Sequence, residues 1–328
     1  MKRVGAWSSC VGALSLLVVA ATASAGGSFQ EELGSDPVKL AGEVKLSLMN
    51  GNGDGAESGR GPVPYYKGLG APPKRVALVS YYVYDCGNHK EKSYRLYNAE
   101  YVYQINSRRS RNVAADDIGR LATELHDAGI EPLRSAFAAV GMQLLTPAEY
   151  LDTPEKRTAY ENTKVEAGGM AALFGALQSK ESTHWQWGAA DDYRLITLTT
   201  VGDVRGNNFA LATTGMGVGK IAATLGYDLA KALGVDAVVI LYNVVQAEKN
   251  SFRLRGAYLY MFGPNPVTDT GQSLYWKGHQ YSGVFLRTDV DFVKADKAGN
   301  LIPNYAGYGV LTGALGTRMA QHIKEKTG

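Results

Sequence analysis

The residues best suited to chemistry gather at a few places. Asp85-Cys86-Gly87-Asn88-His89 follows an apolar run, and loops at strand ends often carry function. Cys86 and His89, three apart, could share a metal, or His89 could activate a Cys86 thiolate. A zinc site needs three or four protein ligands. His126, His184, His279 and His322 stand at no spacing that supplies the rest. A turn holding a semi-buried thiol fits these residues better, and a thiol-dependent enzyme is kept as the third reading of function.

Thr214-Gly215-Met216-Gly217-Val218-Gly219-Lys220 invites comparison with a phosphate loop, because glycine amides at a helix start bind anions. A Walker loop has glycine at the first of these positions and Ser or Thr after the lysine; here Thr214 and Ile221 stand there. The dinucleotide fingerprint has Gly or Ala three residues after Gly217, where this chain has Lys220. Both motifs fail. The segment reads as a turn that lets the next helix pack closely, with contact to an anion or carboxylate through Gly215, Gly217, Gly219 and Lys220 as the alternative.

Aromatic residues mark two candidate contact surfaces. One is the loop from Glu181 to Asp192, with His184, Trp185 and Trp187; its tryptophans either cap the core or meet a partner, peptide or sugar. The other is a long polar insertion over 85–115, where Tyr97, Tyr101, Tyr103 and Ile105 alternate as in an extra hairpin. No GxSxG or HExxH string occurs. The expectation is therefore a chain with no catalytic residue, no metal and no cofactor.

The N-terminus reads as an address. Lys2 and Arg3 precede an apolar run from Val11 to Ala21, too short to span a bilayer. Ala23-Ser24-Ala25 then forms a small-x-small cleavage site before Gly26. Cys10 precedes the apolar run, whereas a lipoprotein cysteine would follow it. The reading is a signal peptide over 1–25 and a soluble, exported, periplasmic mature chain with no lipid and no transmembrane span. Cleavage removes two of the 34 basic residues, leaving 32 against 31 acidic, a net charge near +1. Nothing in that balance asks for nucleic acid or anionic lipid. Cleavage also removes one of the two cysteines, so Cys86 has no intramolecular partner.

Positioning these residues falls to an ordered series of elements. Residues 26–73, rich in Gly and Pro, read as a flexible arm, and 74–328 as a single α/β domain with the 85–115 insertion. Arg75 to Tyr84 is an apolar strand. A helix from Asp116 carries Ile118, Leu121 and Leu125 on one face, with an interruption expected at Gly129 and Pro132. Met142 to Thr146 is a short strand, and Pro147 and Pro154 open helices. Alternation from Tyr193 to Val201 predicts a strand with a wettable face. Ile221, Leu225, Leu229 and Leu233 make one helix face that stops at Gly234. Ala237 to Val245 is a continuous apolar run but for Asn243, so a central strand covered on both faces. Phe252 to Phe262 should return antiparallel to it, followed by a loop over 263–282, a strand from Val284 to Val293 and a last helix near 308–326. The fold class is α/β, a mixed sheet with flanking helices.

Four stretches resemble the CsgG-like and TolB-N-terminal-like group of bacterial envelope proteins. KRVALVSYYVY (74–84) is similar to the group's opening strand. AAVGMQLLTPAEY (138–150) is similar to its helix, glycine, strand, helix step. KIAATLGYDLAKALGVDAVVILYNV (220–244) is similar to its helix and turn into a central strand. YLYMFGPNPVTDTGQSLYWKG (258–278) is similar to its strand, turn and Thr-Gly-x-x-Leu-Tyr-Trp segment. The resemblance implies a non-enzymatic envelope protein that works by assembly or recognition, with an envelope protein partner or copies of itself. The chain departs from the pore-forming branch in lacking an acylated cysteine after its apolar run. The alternative is a periplasmic binding protein for a small or lipid-like ligand held under the tyrosine-rich loops.

Overall fold

The computed structural model describes residues 43–46, 71–85, 94–96, 99–101, 115–164, 186–198, 221–248, 251–265, 277–295, 301–303 and 305–327. In chain order the strands are β1 (Lys45–Leu46), β2 (Arg75–Asp85), β3 (Tyr94–Leu96), β4 (Ala99–Tyr101), β5 (Gln143–Leu145), β6 (Gln186–Ala189), β7 (Ala237–Glu248), β8 (Ser251–Pro264), β9 (Gly278–Ala295) and β10 (Leu301–Pro303). The helices are α1 (Ala115–Ala138), α2 (Pro147–Tyr150), α3 (Pro154–Asn162), α4 (Ala222–Leu229 in π geometry, continuing as α-helix over Ala230–Leu233) and α5 (Tyr305–Thr327).

The apolar runs of β2 and β7 leave neither strand a wettable face, and they lie side by side and parallel inside the sheet. The order is β1-β9-β8-β7-β2-β5, with β10 added to β9 and β6 to β2. β5 is parallel to β2, while β7, β8 and β9 form an antiparallel meander. The architecture is a mixed, open α/β sheet with helices. The expected 252–262 return strand pairs with β7 from Phe262 opposite Val238 down to Ser251 opposite Glu248. Both strands of the β8–β9 pair reach further than the sequence reading, to Pro264 opposite Gly278, so the expected 263–282 loop is partly strand.

Two apolar layers cover the sheet. One face buries Leu78, Tyr81, Val239, Leu241, Leu259 and Met261 under α1 and α5. The other buries Val79, Tyr82, Val238, Ile240, Tyr242 and Phe262 under α2, α3 and α4. All four residues of the expected α4 face, Ile221, Leu225, Leu229 and Leu233, are buried. Gly234 ends that helix in the left-handed region, at φ 67°, a conformation glycine takes without steric cost. α1 departs from expectation, since it runs unbroken through Gly129 and Pro132. The ring of Pro132 lies over Gly309 and Gly313 of α5, and this packing holds the helix through a residue that lacks its backbone donor. The expected N-terminal arm is docked where it is described: Val44 is buried and Lys45–Leu46 pairs with β9.

Candidate functional site

A bulge in β2 organises what lies beside it. Leu78 pairs with Val239 and Ser80 with Ile240, leaving Val79 as the extra residue. The carbonyls there are met by phenols, not by a strand. Tyr150 donates to Leu78 O at 3.1 Å and Tyr160 to Val79 O at 2.7 Å. The Ser80 hydroxyl donates to Arg194 O at 2.7 Å and accepts from the Ile196 amide at 3.1 Å. The Leu198 amide donates to the Tyr82 hydroxyl at 3.3 Å. These bonds correct the expected 193–201 strand. Residues 193–198 carry no strand, because side chains of β2 and α3 take up backbone groups that a ladder would otherwise pair. Arg194 completes the clamp, its guanidinium donating to Tyr160 O and lying 5.6 Å above the Tyr160 ring.

On the same face a row of rings crosses the sheet. Trp187 of β6 lies 4.2 Å from Tyr84 and 5.7 Å from Tyr82, centroid to centroid. Tyr82 stacks on Tyr242 at 5.1 Å, Tyr242 on Tyr258 at 4.7 Å and Tyr258 on Phe285 at 6.0 Å. Each of these last three steps joins residues directly opposite in register, where side chains stand closest. Tyr82, Tyr84 and Tyr242 are buried, whereas Trp187, Tyr258 and Phe285 are half-buried. The guanidinium of exposed Arg287 sits 5.2 Å over the Phe285 ring. The row thus runs from a shielded centre to partly open ends.

The opposite face holds a buried polar knot near the carboxyl ends of the parallel strands. The Tyr81 and Tyr308 hydroxyls share a short hydrogen bond, and Asn243 Nδ2 donates to the Tyr308 hydroxyl at 2.8 Å. His126 meets the Tyr81 ring edge-on at 5.3 Å. Its Nε2 lies 3.0 Å from the Tyr193 hydroxyl and its Nδ1 3.0 Å from Asp127 Oδ1. Asp85, the last residue of β2, is also fully buried. Burial pushes the Tyr81, Tyr150, Tyr160, Tyr193 and Tyr308 hydroxyls above the ordinary phenol range. At neutral pH they are hydrogen-bonding phenols rather than phenolate nucleophiles.

Of the sequence candidates, Trp187 is placed at the head of the row of rings. It stands on a strand, which corrects the expected 181–192 loop. β5 pairs with only the first three residues of β2, so the far edge from Tyr82 to Asp85 is open to β6. Tyr101 lies in β4, opposite Tyr94 of β3, so the insertion holds an antiparallel pair over 94–96 and 99–101, shifted from the expected 97–105 alternation. Tyr97, Tyr103, His184, Trp185, Gly215, Gly217, Gly219, Lys220, Cys86 and His89 lie outside the described residues. Sequence reasoning missed Tyr82, Tyr242, Tyr258 and Phe285 as a set. Their strands were legible, but their alignment depends on register between distant segments. Among the described residues, no group of three or more His, Cys, Asp or Glu is placed to hold a metal ion, and no helix is long and apolar enough to cross a membrane. A depression of about 270 Å³ lies among Ala71, Pro72, Pro73, Lys74, Asp236 and Tyr281, at the amino ends of β2 and β7. Compared with known proteins, the chain matches no family model, no curated protein and no solved structure.

Proposed function

We propose that this chain is an exported, periplasmic protein of the bacterial cell envelope that works by recognition or assembly rather than by turnover, on a CsgG-like or TolB-N-terminal-like fold. The row of rings from Trp187 to Phe285 is the observation that carries this reading. Its inner members form part of the core, while Tyr258 and Phe285 are half-buried and Arg287 beside them is exposed. Aromatic and arginine side chains anchored in a rigid sheet are the residue types that dominate protein contacts. The sequence resemblance supports the same reading, as do the export signal and the near-neutral mature charge.

The native mass of the mature protein tests it. A defined oligomer or a stable protein complex is expected, and the paired change Phe285→Ala with Arg287→Ala should weaken it at least tenfold. A monomer that retains a small molecule would overturn this reading in favour of a ligand carrier. The depression at Tyr281 sits at or below the small end of ordinary ligand sites, so it gives the carrier reading little support.

A further inference from the structure

Where the last turns of α5 meet the start of β9, three basic side chains gather. His322 is buried, and its Nδ1 lies 2.8 Å from the buried Ser282 hydroxyl. Lys326, one turn on, donates from Nζ to the Tyr281 carbonyl at 2.9 Å. His279 stands two residues before Tyr281, its ring 6.4 Å from the tyrosine ring. We infer that this docking is a proton-operated latch, closed near neutrality and released in mildly acidic surroundings.

The neighbouring charges favour that behaviour. On α5 they are Arg318, Lys324 and Glu325; just before β9, Lys277; in and just before β1, Lys45 and Glu43; on α4, Asp228 and Lys231; on the turn before β7, Asp236. Glu325 reaches back to Arg318 at 3.8 Å. Asp236 accepts the Lys74 and Arg75 amides at 2.8 and 2.9 Å. A proton arriving at His322 or His279 therefore joins the Lys326 ammonium in a poorly hydrated place. It also occupies Nδ1 of His322, which the Ser282 hydroxyl can donate to only while that nitrogen is bare. Burial first, and then the Lys326 charge, holds both imidazoles down to about 4.

The direction follows from linkage. With the folded value lowered, the released state binds protons first, so the histidines' contribution to docking is full above about pH 6.5 and is lost as pH falls toward 4. At pH 5 each histidine should favour release by roughly twentyfold relative to pH 7.

Amide hydrogen exchange of the mature protein at pH 7 and pH 5, corrected for intrinsic rates, tests the latch. Residues 318–327 should open at least tenfold more at pH 5 while β7 stays protected. In His279→Asn/His322→Asn the acid opening should vanish, because asparagine keeps an acceptor near Nδ1 and takes no proton. Lys326→Met should reduce it, and this variant decides if the double one does not fold. Equal protection at both pH values overturns the proposal. So does opening of β7 in step with α5, or acid opening that these substitutions leave undiminished.

Discussion

Tyr308 of α5 and Asn243 of β7 meet through both atoms of the amide, with Nδ2 2.8 Å and Oδ1 3.2 Å from the phenol oxygen. The Tyr81 hydroxyl closes the group from β2. Tyr308→Phe strips a partner from two buried groups and should cost about 1–3 kcal/mol in urea unfolding. Asn243→Leu alone should cost a similar amount. The double variant should cost less than their sum, because it leaves fewer orphaned polar atoms. Strict additivity would mean that the three side chains do not act as a unit.

Tyr160 serves the β2 bulge twice, donating to Val79 O at 2.7 Å and accepting the Arg194 amide at 2.9 Å. Tyr160→Phe should therefore destabilise by about 2 kcal/mol. Tyr150→Phe, which loses the longer 3.1 Å bond to Leu78 O, should cost roughly half that. Equal melting temperatures for the two variants would deny Tyr160 its second role.

Gly188 of β6 and Gly119 of α1 touch, but their tolerance differs. A Cβ on Gly188 would lie 2.3 Å from the Gly119 amide nitrogen, whereas one on Gly119 would meet nothing nearer than Ala189 O at 3.8 Å. Gly188→Ala should cost more than about 3 kcal/mol, since backbone must shift. Gly119→Ala should be neutral or gain up to about 1 kcal/mol through helix propensity. Chemical denaturation of the two single variants checks the asymmetry.

Alkaline stability should report Lys326. Burial lowers its amine from 10.5 to about 8. Between these values the unfolded chain holds the proton that the folded chain has lost, so stability should rise as pH climbs from about 8 toward 10. After allowance for partial exposure the gain is about 1–2 kcal/mol. Above pH 10 the buried tyrosines reverse the trend, because their raised folded values make the unfolded chain the better acid. Lys326→Met should flatten the rise between 8 and 10, as read from Tm against pH.

Ile240 lies in β7 between β2 and β8 and is fully buried. Ile240→Asp should abolish cooperative folding at neutral pH, because it places an unpaired carboxylate in the core. A variant melting within about two degrees of the parent would contradict the burial of β7 on that face.

The sequence made some parts of this architecture plain. The run 237–245, apolar except for Asn243, gave away β7, and the spacing of Ile221, Leu225, Leu229 and Leu233 gave away the buried side of α4. The turn before Ser251 gave away the β7–β8 return. These are local signals, set by period and by turn residues. Residues 193–198 misled because no ladder holds them: Tyr193 turns to His126 of α1, Leu195 is exposed, and the backbone of Arg194, Ile196 and Leu198 is bonded by Tyr160, Ser80 and Tyr82. Trp187 was noticed for its type, but its companions Tyr242, Tyr258 and Phe285 belong to strands whose register is settled by contacts far apart in the chain. Pro132 suggested a break that the fit of its ring over Gly309 and Gly313 overrides.

The pairing of β2 with β7 also governs the order in which the molecule can be made. The first bonds of that pair tie Arg75 to Asp236, 161 residues later. Until about three-quarters of the chain has left the ribosome, β2 lacks this long parallel partner and has only short β5 and β6 beside it. Contacts of such separation close slowly, since the loop entropy is lost before the pairing repays it. A nascent or truncated chain ending before Ala237 therefore presents a bare, strongly apolar edge. Its natural fate is capture by a holding chaperone or aggregation.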